Sequence, residues 1–422
     1  MRHPGRGRRV AVARAGPGRD RGRGAAAGAG GRHRRAERRP ALDRPHVGAS
    51  GPRGGGRDVR GADRLTRTPL PSSIPELRTT GGRFVVLLTR RHLLCAWGAA
   101  GAATLLPATT AQARTGPDDW LAWFRANRRH VAAVVDDGRG GRVAHRPHEP
   151  QPLASAVKVV HLAGYSAALR AGLVRADEPV RVGDWEQYYL GLDGGAHPAS
   201  LRALGIRSTN GVTADDPDHL VTLDDLVASM IRFSDNAATD FLRYRLGEGL
   251  LRAAAARHGW PTAPVPEILG EVLAFILGRR VDVRRYLEDP RLQLEVVGKF
   301  PDLPATYDGQ RPWARTTWAG TAAGLNRAHR SLTSDEVART HLERGRPTPP
   351  GVVGVGFKGG SLAGILTVGT TVRWADGRVG SAAVLVREVD EQRFATSGEL
   401  VSLVRQTLLD PAALRRFQVS LS

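Results

Sequence analysis

The chain has very little lysine for a protein so rich in positive charge. Of the 62 Lys and Arg residues in the sequence, only Lys158, Lys299 and Lys358 are lysines. An arginine cannot lose its proton in a protein, whereas a buried lysine can do so and act as a base. Lys158 and Lys358 are therefore candidates for a chemical role, whereas Lys299 has no chemical partner nearby in sequence and is assigned none.

Cysteine is almost absent as well, because Cys95 is the only one in the sequence. A single cysteine excludes a disulfide within the chain and a metal site built from several thiolates. His145 and His148 are close in sequence, but Pro147 lies between them and no matching cluster of ligands accompanies them. We interpret them as part of a surface loop and expect neither a metal nor a cofactor.

Residues 1–83 lack Phe, Trp and Tyr, yet they carry most of the net charge. They contain 21 arginines and six acidic residues, which together give +15 of the formal net charge of +21. A Gly/Arg-rich arm can bind nucleic acid, but such arms usually interleave aromatic side chains that stack on bases. We therefore expect no nucleic-acid partner. We predict that residues 1–83 are disordered, and hypothesise that translation begins near Val85 or Val86.

Residues 84–113 have the organisation of an export signal. Arg90 and Arg91 give a positive start that resembles a twin-arginine signal, and an Ala/Gly-rich apolar run extends to about Leu106. A small-x-small cleavage site ends at Ala113. The run is too short to span a bilayer comfortably. We expect a secreted or extracytoplasmic protein with no membrane span after cleavage.

The remaining residues, 114–422, are enough for one large or two-lobed catalytic domain, which we expect to be a monomer. The pattern predicts an opening helix over 119–129 and a hairpin over 130–146. Residues 178–218 have an irregular composition and look like a long excursion that lines a pocket. Residues 252–342 are predicted to be mostly helical, with breaks at prolines.

The C-terminal part has a pattern typical of β-strands, unlike the mostly helical pattern before it. β-Branched residues on either side of an Asp376-Gly377 turn predict two or three antiparallel strands, and a last helix over 397–409 closes the chain. The glycines from Gly354 to Gly359 formally match a dinucleotide fingerprint. That motif should lead into a helix, and here it leads into a strand, so we set aside dinucleotide binding.

The first candidate site motif is Ser155 with Lys158, at the start of an apolar, helix-compatible segment over 153–170. On a helix the two side chains share one face, and an amine whose pKa burial has lowered can activate a serine hydroxyl. Taken alone, the pair is better explained as a helix N-cap.

A second motif falls between two predicted helices. Thr222 and Asp225 indicate the start of the first helix, and the second follows Ser234-Asp235-Asn236. Polar residues on so tight a turn can point into a cleft. The alternative is that these residues simply cap the second helix.

The third motif is Lys358-Gly359-Gly360-Ser361, on a predicted edge strand. Glycines there leave room for the backbone of a substrate, and Lys358 offers a positive charge to a carboxylate. The backbone N–H of Ser361 can pair with that of Ser155 to hold a developing oxyanion. The alternative is a glycine-rich strand with one solvated lysine.

With these three motifs in this order, the chain from about Val131 onward resembles the penicillin-binding proteins and serine β-lactamases, most closely class A β-lactamases. The resemblance implies an α+β fold, the two-lobed serine β-lactamase/transpeptidase-like fold. In it, an antiparallel sheet flanked by helices faces an all-helical lobe.

The resemblance also implies a role for each motif residue. Ser155 is the acylated nucleophile, Lys158 accepts its proton, and Ser234 relays a proton to the leaving nitrogen. Asn236 holds the amide of the substrate and the Lys158 side chain, and Lys358 binds the carboxylate of the substrate.

Two features depart from the pattern of the family. The usual Lys-Thr-Gly or Lys-Ser-Gly is Lys-Gly-Gly here, so a hydroxyl beside Lys358 is missing, and Ser361 is a candidate to compensate. Class A enzymes deacylate with a glutamate in a Glu-x-x-Leu-Asn loop. Residues 264–278 contain Glu267 and Glu271 without that motif, and either can serve.

The sequence therefore predicts an exported serine hydrolase that is acylated at Ser155, with hydrolysis of a β-lactam as the expected reaction. Without a deacylating base the acyl-enzyme would persist, as in a penicillin-binding protein. A D-alanyl-D-alanine carboxypeptidase and an esterase are thus alternatives. A further alternative is a non-catalytic binder of cell-wall peptide or β-lactam.

Overall fold

The computed structural model describes residues 77–80, 83–86 and 117–422. Most of the predicted N-terminal segment and of the export signal, including Cys95 and the cleavage site at Ala113, lies outside the described residues. Residues 77–80 and 83–86 pair as an antiparallel hairpin at the boundary between those two predicted segments. Within the described part of the chain, no helix is both long and apolar enough to cross a membrane.

The strands of the described residues fall into one large sheet and three two-stranded pairs. In chain order they are Leu77–Thr80 (β1), Arg83–Val86 (β2), Val131–Asp136 (β3), Arg142–His145 (β4), Gln151–Pro152 (β5), Pro179–Arg181 (β6), Leu220–Thr222 (β7), Ala319–Gly320 (β8), Val352–Leu362 (β9), Ile365–Trp374 (β10) and Val379–Arg387 (β11).

The α-helices of the same residues are Pro117–Ala126 (α1), Val159–Arg170 (α2), Val182–Glu186 (α3), Ala196–Ala203 (α4), Leu223–Arg232 (α5), Asn236–Leu246 (α6), Glu248–Arg257 (α7), Ile268–Leu277 (α8), Val283–Glu288 (α9), Pro290–Lys299 (α10), Tyr307–Ala314 (α11), Ala322–Leu332 (α12), Glu336–Glu343 (α13), Glu391–Phe394 (α14), Ser397–Leu409 (α15) and Pro411–Leu421 (α16).

The five-stranded sheet is antiparallel throughout, in the order β4-β3-β11-β10-β9. β3 and β4 form the predicted hairpin. The turn between β10 and β11 is the predicted Asp376-Gly377, where Gly377 takes a φ of 86° that favours glycine. β9, which carries Lys358, is an edge strand, so part of its backbone is free to meet a substrate.

One face of the sheet packs against α1, α15 and α16. The prediction that the helix ending at Leu409 closes the chain is wrong, because α16 follows it. Asp410 accepts hydrogen bonds from the first N–H groups of α16, and Pro411 occupies its first turn. An Asp-Pro pair of this kind starts a helix as readily as it ends one.

The other face packs against a lobe made of helices, centred on the buried helix α2. The segment predicted as one helix over 153–170 begins instead with a 3₁₀ turn, Ala154–Lys158, which carries both Ser155 and Lys158. Ala154 has a left-handed φ of 45°, which a regular helix does not tolerate. The sheet and this lobe together confirm the α+β, two-lobed expectation.

Residues 268–314, here called the α8–α11 segment, form a third packing unit. Its side chains share a hydrophobic cluster of their own, to which the excursion over 178–218 contributes Leu190 and Leu192. The helical content of this region was predicted. That it builds a separate small core beside the site was not.

Candidate active site

Ser155 lies where the 3₁₀ turn meets β9. A Cβ added to Gly360 would lie 2.4 Å from the backbone N of Ser155 and 2.7 Å from that of Ala156. The strand therefore passes against the turn at a distance that only glycine permits. Ser155 and Ser361 line the same cleft, as expected for two oxyanion donors.

This close approach predicts a large effect for Gly360→Ala. The added methyl group has to push β9 away from the turn, and a displacement of about 1 Å at a reacting group can cost about 100-fold in rate. We expect the rate constant for acylation of Ser155 to fall by about that factor, measured with a fluorescent penicillin. Gly298→Ala is the control, because a Cβ there meets no atom within 4 Å. An unchanged rate in Gly360→Ala would contradict the proposed oxyanion geometry.

Lys158 joins the first motif to the second. Its side chain is fully buried, and its Nζ donates to Asn236 Oδ1 at 2.7 Å and to the carbonyl oxygen of Ser234 at 2.5 Å. Burial lowers the pKa of Lys158 to about 8, although Asp235 and Asp193 raise it. A neutral amine is thus accessible near pH 7, as a proton acceptor requires. Among residues 117–422, the hydrogen bonds of Lys158 Nζ go to Asn236 and to the carbonyl and hydroxyl oxygens of Ser234, and none goes to the hydroxyl of Ser155.

The turn that carries the second motif is held by its own local geometry. Asp235 caps α6 by accepting the N–H of Ala238 at 2.8 Å, so capping does occur here, as the alternative proposed. Ser234 nevertheless takes a left-handed φ of 71°, a conformation that costs energy in a residue other than glycine. Capping by Asp235 leaves the Ser234 and Asn236 side chains available to Lys158.

Lys358 brings in the third motif. Its Nζ donates to Ser234 Oγ at 3.1 Å and to the carbonyl oxygen of Gly359 at 2.8 Å, and its side chain is only 4% exposed. The alternative of a solvated lysine is therefore wrong. Burial, and then the charges of Lys158 and Arg346, hold the pKa of Lys358 well below its usual range. Ser234 Oγ also lies 3.3 Å from Lys158 Nζ, so one hydroxyl lies between two amines.

In the structure, another side chain fills the space of the hydroxyl that Lys-Gly-Gly lacks. A Cβ added to Gly359 would lie 2.8 Å from Cζ of Phe357, so the phenyl ring occupies the space that a threonine or serine side chain would use. Arg346 lies over the same ring, 4.8 Å from its centroid. Whether Ser361 supplies the missing hydroxyl stays a prediction.

The two candidate glutamates lie in different surroundings. Glu267 precedes α8 and accepts a hydrogen bond from the hydroxyl of Tyr244. Glu271, one turn later, lines the cleft together with Ser155 and Asn236. Burial raises the pKa of Glu271 to about 7. Glu271 lies in the cleft beside Ser155, and its raised pKa suits a base acting there.

The start of α8 is anchored so that Glu271 keeps this position. The buried carboxylate of Asp240 accepts the N–H groups of Ile268 at 2.9 Å and of Leu269 at 2.5 Å. Burial raises the pKa of Asp240 to about 7 despite those two hydrogen bonds. The N-terminus of α8 is thus tied to α6, the helix that begins at Asn236.

In the described ranges, no cluster of three or more His, Cys, Asp or Glu side chains is arranged to hold a metal ion. His145 lies near the surface, and its Nε2 is 2.9 Å from the carbonyl oxygen of Arg128.

Residues 121–280 match the sequence model of a family described as the beta-lactamase enzyme family. The match spans Ser155, Lys158, Ser234 and Asn236 and ends before Lys358, which the fold brings to the same site. The part of the chain that carries the first two motifs is thus similar to the beta-lactamase enzyme family.

Solved structures with which the chain shares similarity carry related descriptions. The β-lactamase from Sphaerobacter thermophilus DSM 20745 is 18% identical, with 67% of this chain and 94% of that chain covered and a TM-score of 0.44. A class A β-lactamase described as the last common ancestor of Gram-negative bacteria is 18% identical, with 70% and 98% covered and a TM-score of 0.45. The structure of PBP-A is 13% identical, with 69% and 97% covered and a TM-score of 0.42. No curated protein matches the chain.

A buried cluster of charged side chains, formed by His197, Asp235 and Glu186, lies beside the motif residues and was not predicted from the sequence. His197 lies with Nδ1 2.9 Å from Asp235 Oδ2 and Nε2 2.9 Å from Glu186 Oε1. Since both carboxylates accept, both ring nitrogens donate and the ring is an imidazolium. Burial alone would lower the pKa of His197, but Asp235 and Glu186 raise it to about 10. His197 is 38 residues from Asp235 in sequence, and no local sequence pattern predicts the contact.

His197→Gln tests whether this cluster serves the reaction. The lost positive charge leaves the Asp235 carboxylate uncompensated, so we expect the pKa of Lys158 to rise. The acid limb of the pH profile for acylation then moves upward by roughly one unit. The control is His341→Gln, which removes a buried histidine that lies 2.9 Å from Asp224. If the acid limb shifted equally in both variants, or in neither, His197 would have only a structural role.

The same cluster makes stability depend on pH. The pKa of His197 in the folded chain, about 10, exceeds its ordinary value of 6.5. Its contribution to stability is therefore complete below about pH 6.5 and is lost as the pH rises through 10.

Proposed function

We propose that the protein is an exported hydrolase that forms an acyl-enzyme at Ser155 and opens β-lactams. The observation that carries this proposal is the position of Ser234 Oγ, 3.3 Å from Lys158 Nζ and 3.1 Å from Lys358 Nζ. Three motifs far apart in sequence thereby converge beside Ser155. A hydroxyl between two amines of lowered pKa is suited to passing a proton to a leaving group.

Acylation follows from this arrangement. The neutral amine of Lys158 takes the proton of the Ser155 hydroxyl as the oxygen attacks the carbonyl carbon of the lactam. The N–H groups of Ser155 and Ser361 hold the oxyanion. When the C–N bond breaks, a proton passes from Lys158 through the Ser234 hydroxyl to the leaving nitrogen.

Lys358 has the role of binding the substrate carboxylate in this proposal. Burial and two neighbouring cations depress its pKa in the free site. A substrate carboxylate placed beside it favours the charged amine again.

Deacylation is assigned to Glu271. Its ionised carboxylate takes a proton from a water molecule, and the resulting hydroxide attacks the ester carbon. The ester C–O bond then breaks, and the proton taken from the water returns to the Ser155 oxygen. Because the pKa of Glu271 is about 7, its active form increases as the pH rises through neutrality. If Glu271 did not act in this way, the adduct would last, as in a penicillin-binding protein.

A labelling time course separates these outcomes. The protein is incubated with a fluorescent penicillin, and turnover of nitrocefin, of a D-alanyl-D-alanine peptide and of a simple ester is followed in parallel. A transient label with nitrocefin turnover supports a β-lactamase. A lasting label supports a penicillin-binding protein, and peptide turnover a carboxypeptidase. No label and no turnover of any compound would leave only a binder.

Export through the signal that ends near Ala113 is part of the same proposal, because β-lactams and cell-wall peptides are met outside the cytoplasm. N-terminal sequencing of the native protein tests it. We expect the mature chain to begin close to Arg114. Recovery of peptides from residues 1–83 would contradict both the cleavage and the proposed start of translation.

A further inference from the structure

The α8–α11 segment provides one wall of the cleft that holds Ser155. Ile268, Glu271 and Val272 on α8 and Trp313 on α11 all line that cleft. α8 and α11 are the first and last helices of the segment. The hydrophobic cluster of the segment includes Leu273, Val283 and Val296, which are almost fully buried. The wall is thus backed by a packed core and keeps its shape.

The last helix of the segment is fastened to the sheet by ion pairs. Glu388, directly after β11, accepts from Arg311 Nη2 at 2.7 Å and from Arg315 Nε and Nη2 at 2.8 and 2.6 Å. Paired contacts between guanidinium and carboxylate groups fix both distance and orientation. We call these contacts the Glu388 latch.

A second attachment lies beside the latch. The hydroxyl of Tyr307 donates to the carbonyl oxygen of Val389 at 2.8 Å and accepts the N–H of Gly364 at 2.7 Å. Gly364 is in the turn that joins β9 to β10. The segment is therefore held to the same strand pair that carries Lys358.

Glu388, the acceptor of the latch, has a strained backbone conformation of the same kind as two residues of the site. Among the described residues, the non-glycine residues with positive φ are Arg146, Ala154, Ser234 and Glu388. Ala154 and Ser234 flank the reacting groups, and Glu388 has a φ of 62°. Such conformations persist only where surrounding contacts hold them, and they concentrate at functional positions.

The wall that the latch holds in place is mostly apolar. Ile268, Val272 and Trp313 of the segment are apolar, as are Leu192, Pro266 and Trp318 elsewhere in the cleft lining, and Glu271 is the charged side chain among the lining residues. Phe275 stacks on Trp313 with ring centroids 4.5 Å apart and fixes that indole. An anionic group of a substrate would lose its water against this wall and would face Glu271, whose carboxylate has the same sign of charge.

We propose that the latched α8–α11 segment selects β-lactams whose acyl side chain is apolar and carries no negative charge. The inference rests on the proposed function, because Asn236 is taken to hold the acyl amide and the side chain beyond it then lies against this wall. Opening the latch loosens the wall, admits water and weakens the discrimination.

Benzylpenicillin and carbenicillin test the proposal, since they differ by one carboxylate group on the acyl side chain. We expect the second-order rate constant for acylation of Ser155 to be at least about 10-fold higher for benzylpenicillin. Glu388→Gln, which weakens the ion pairs, should reduce that ratio several-fold. The matched control is Glu295→Gln, which removes an exposed ion pair with Arg279 in the same segment and should leave the ratio unchanged.

The outcomes are distinguishable from failure of the proposed function. If neither compound acylates Ser155, the proposed function is wrong. If both acylate Ser155 at equal rates, or if Glu388→Gln keeps the wild-type ratio, this inference alone is overturned. Should Glu388→Gln fail to fold by circular dichroism, Tyr307→Phe loosens the neighbouring attachment and is judged by the same ratio.

Discussion

Replacing Ser155 with alanine is expected to abolish acylation by every substrate that labels the wild-type protein. Ser155 lies on the turn that meets Gly360, and in the proposed reaction it is the nucleophile that the Lys158 amine and the Ser234 hydroxyl serve. Loss of a catalytic serine typically costs a factor of roughly 10⁴ or more in kcat/KM. Nitrocefin turnover and fluorescent labelling both measure the loss.

A serine on another surface provides the control for this result. Ser402 lies on α15, where its hydroxyl donates to the carbonyl oxygen of Gly398 at 3.0 Å. Ser402→Ala should therefore keep wild-type turnover. Turnover that survived in Ser155→Ala would show that the nucleophile lies elsewhere and that the site assignment is wrong.

Replacing Glu271 with glutamine should trap the acyl-enzyme. The amide cannot accept a proton from water, so deacylation slows by about 100-fold or more while acylation through Lys158 continues. Stopped-flow measurement with nitrocefin should show a burst close to one equivalent followed by slow turnover. In the wild-type protein, deacylation should accelerate as the pH rises through about 7, because Glu271 must be ionised.

Glu267→Gln is the matched comparison, because it makes the same change four residues earlier. The Glu267 side chain is engaged by Tyr244, so we expect little effect on deacylation. Trapping in Glu267→Gln with normal turnover in Glu271→Gln would reverse the assignment of the base. Normal turnover in both would require a different route for the water.

Local patterns were sufficient where a structure depends on neighbouring residues. Thr222 and Asp225 predicted the start of α5, and the structure has the reciprocal capping box there, with the N–H of Asp225 3.1 Å from Thr222 Oγ1. The Asp376-Gly377 turn and the helix over 397–409 were predicted for the same reason. The shortage of lysine was also informative: Lys158 and Lys358 are buried together, whereas Lys299 is exposed and 3.4 Å from Asp302.

Features that depend on distant parts of the chain were not predictable in this way. The 3₁₀ turn at Ala154 exists beside a strand some 200 residues later, and nothing in the local sequence rules out a regular helix. The contact of His197 with Asp235 and the filling of space beside Gly359 by Phe357 are also tertiary. The core of the α8–α11 segment required Leu190 and Leu192 from a part of the chain that had no clear periodicity.

The most direct test of the central claim is the intact mass of the wild-type protein during reaction with benzylpenicillin, with peptide mapping of quenched samples. We predict a transient adduct of one penicillin per chain, located on the peptide that contains Ser155, which decays as the protein returns to its original mass. Turnover without any adduct, or an adduct on another peptide, would contradict the proposed acyl-enzyme at Ser155.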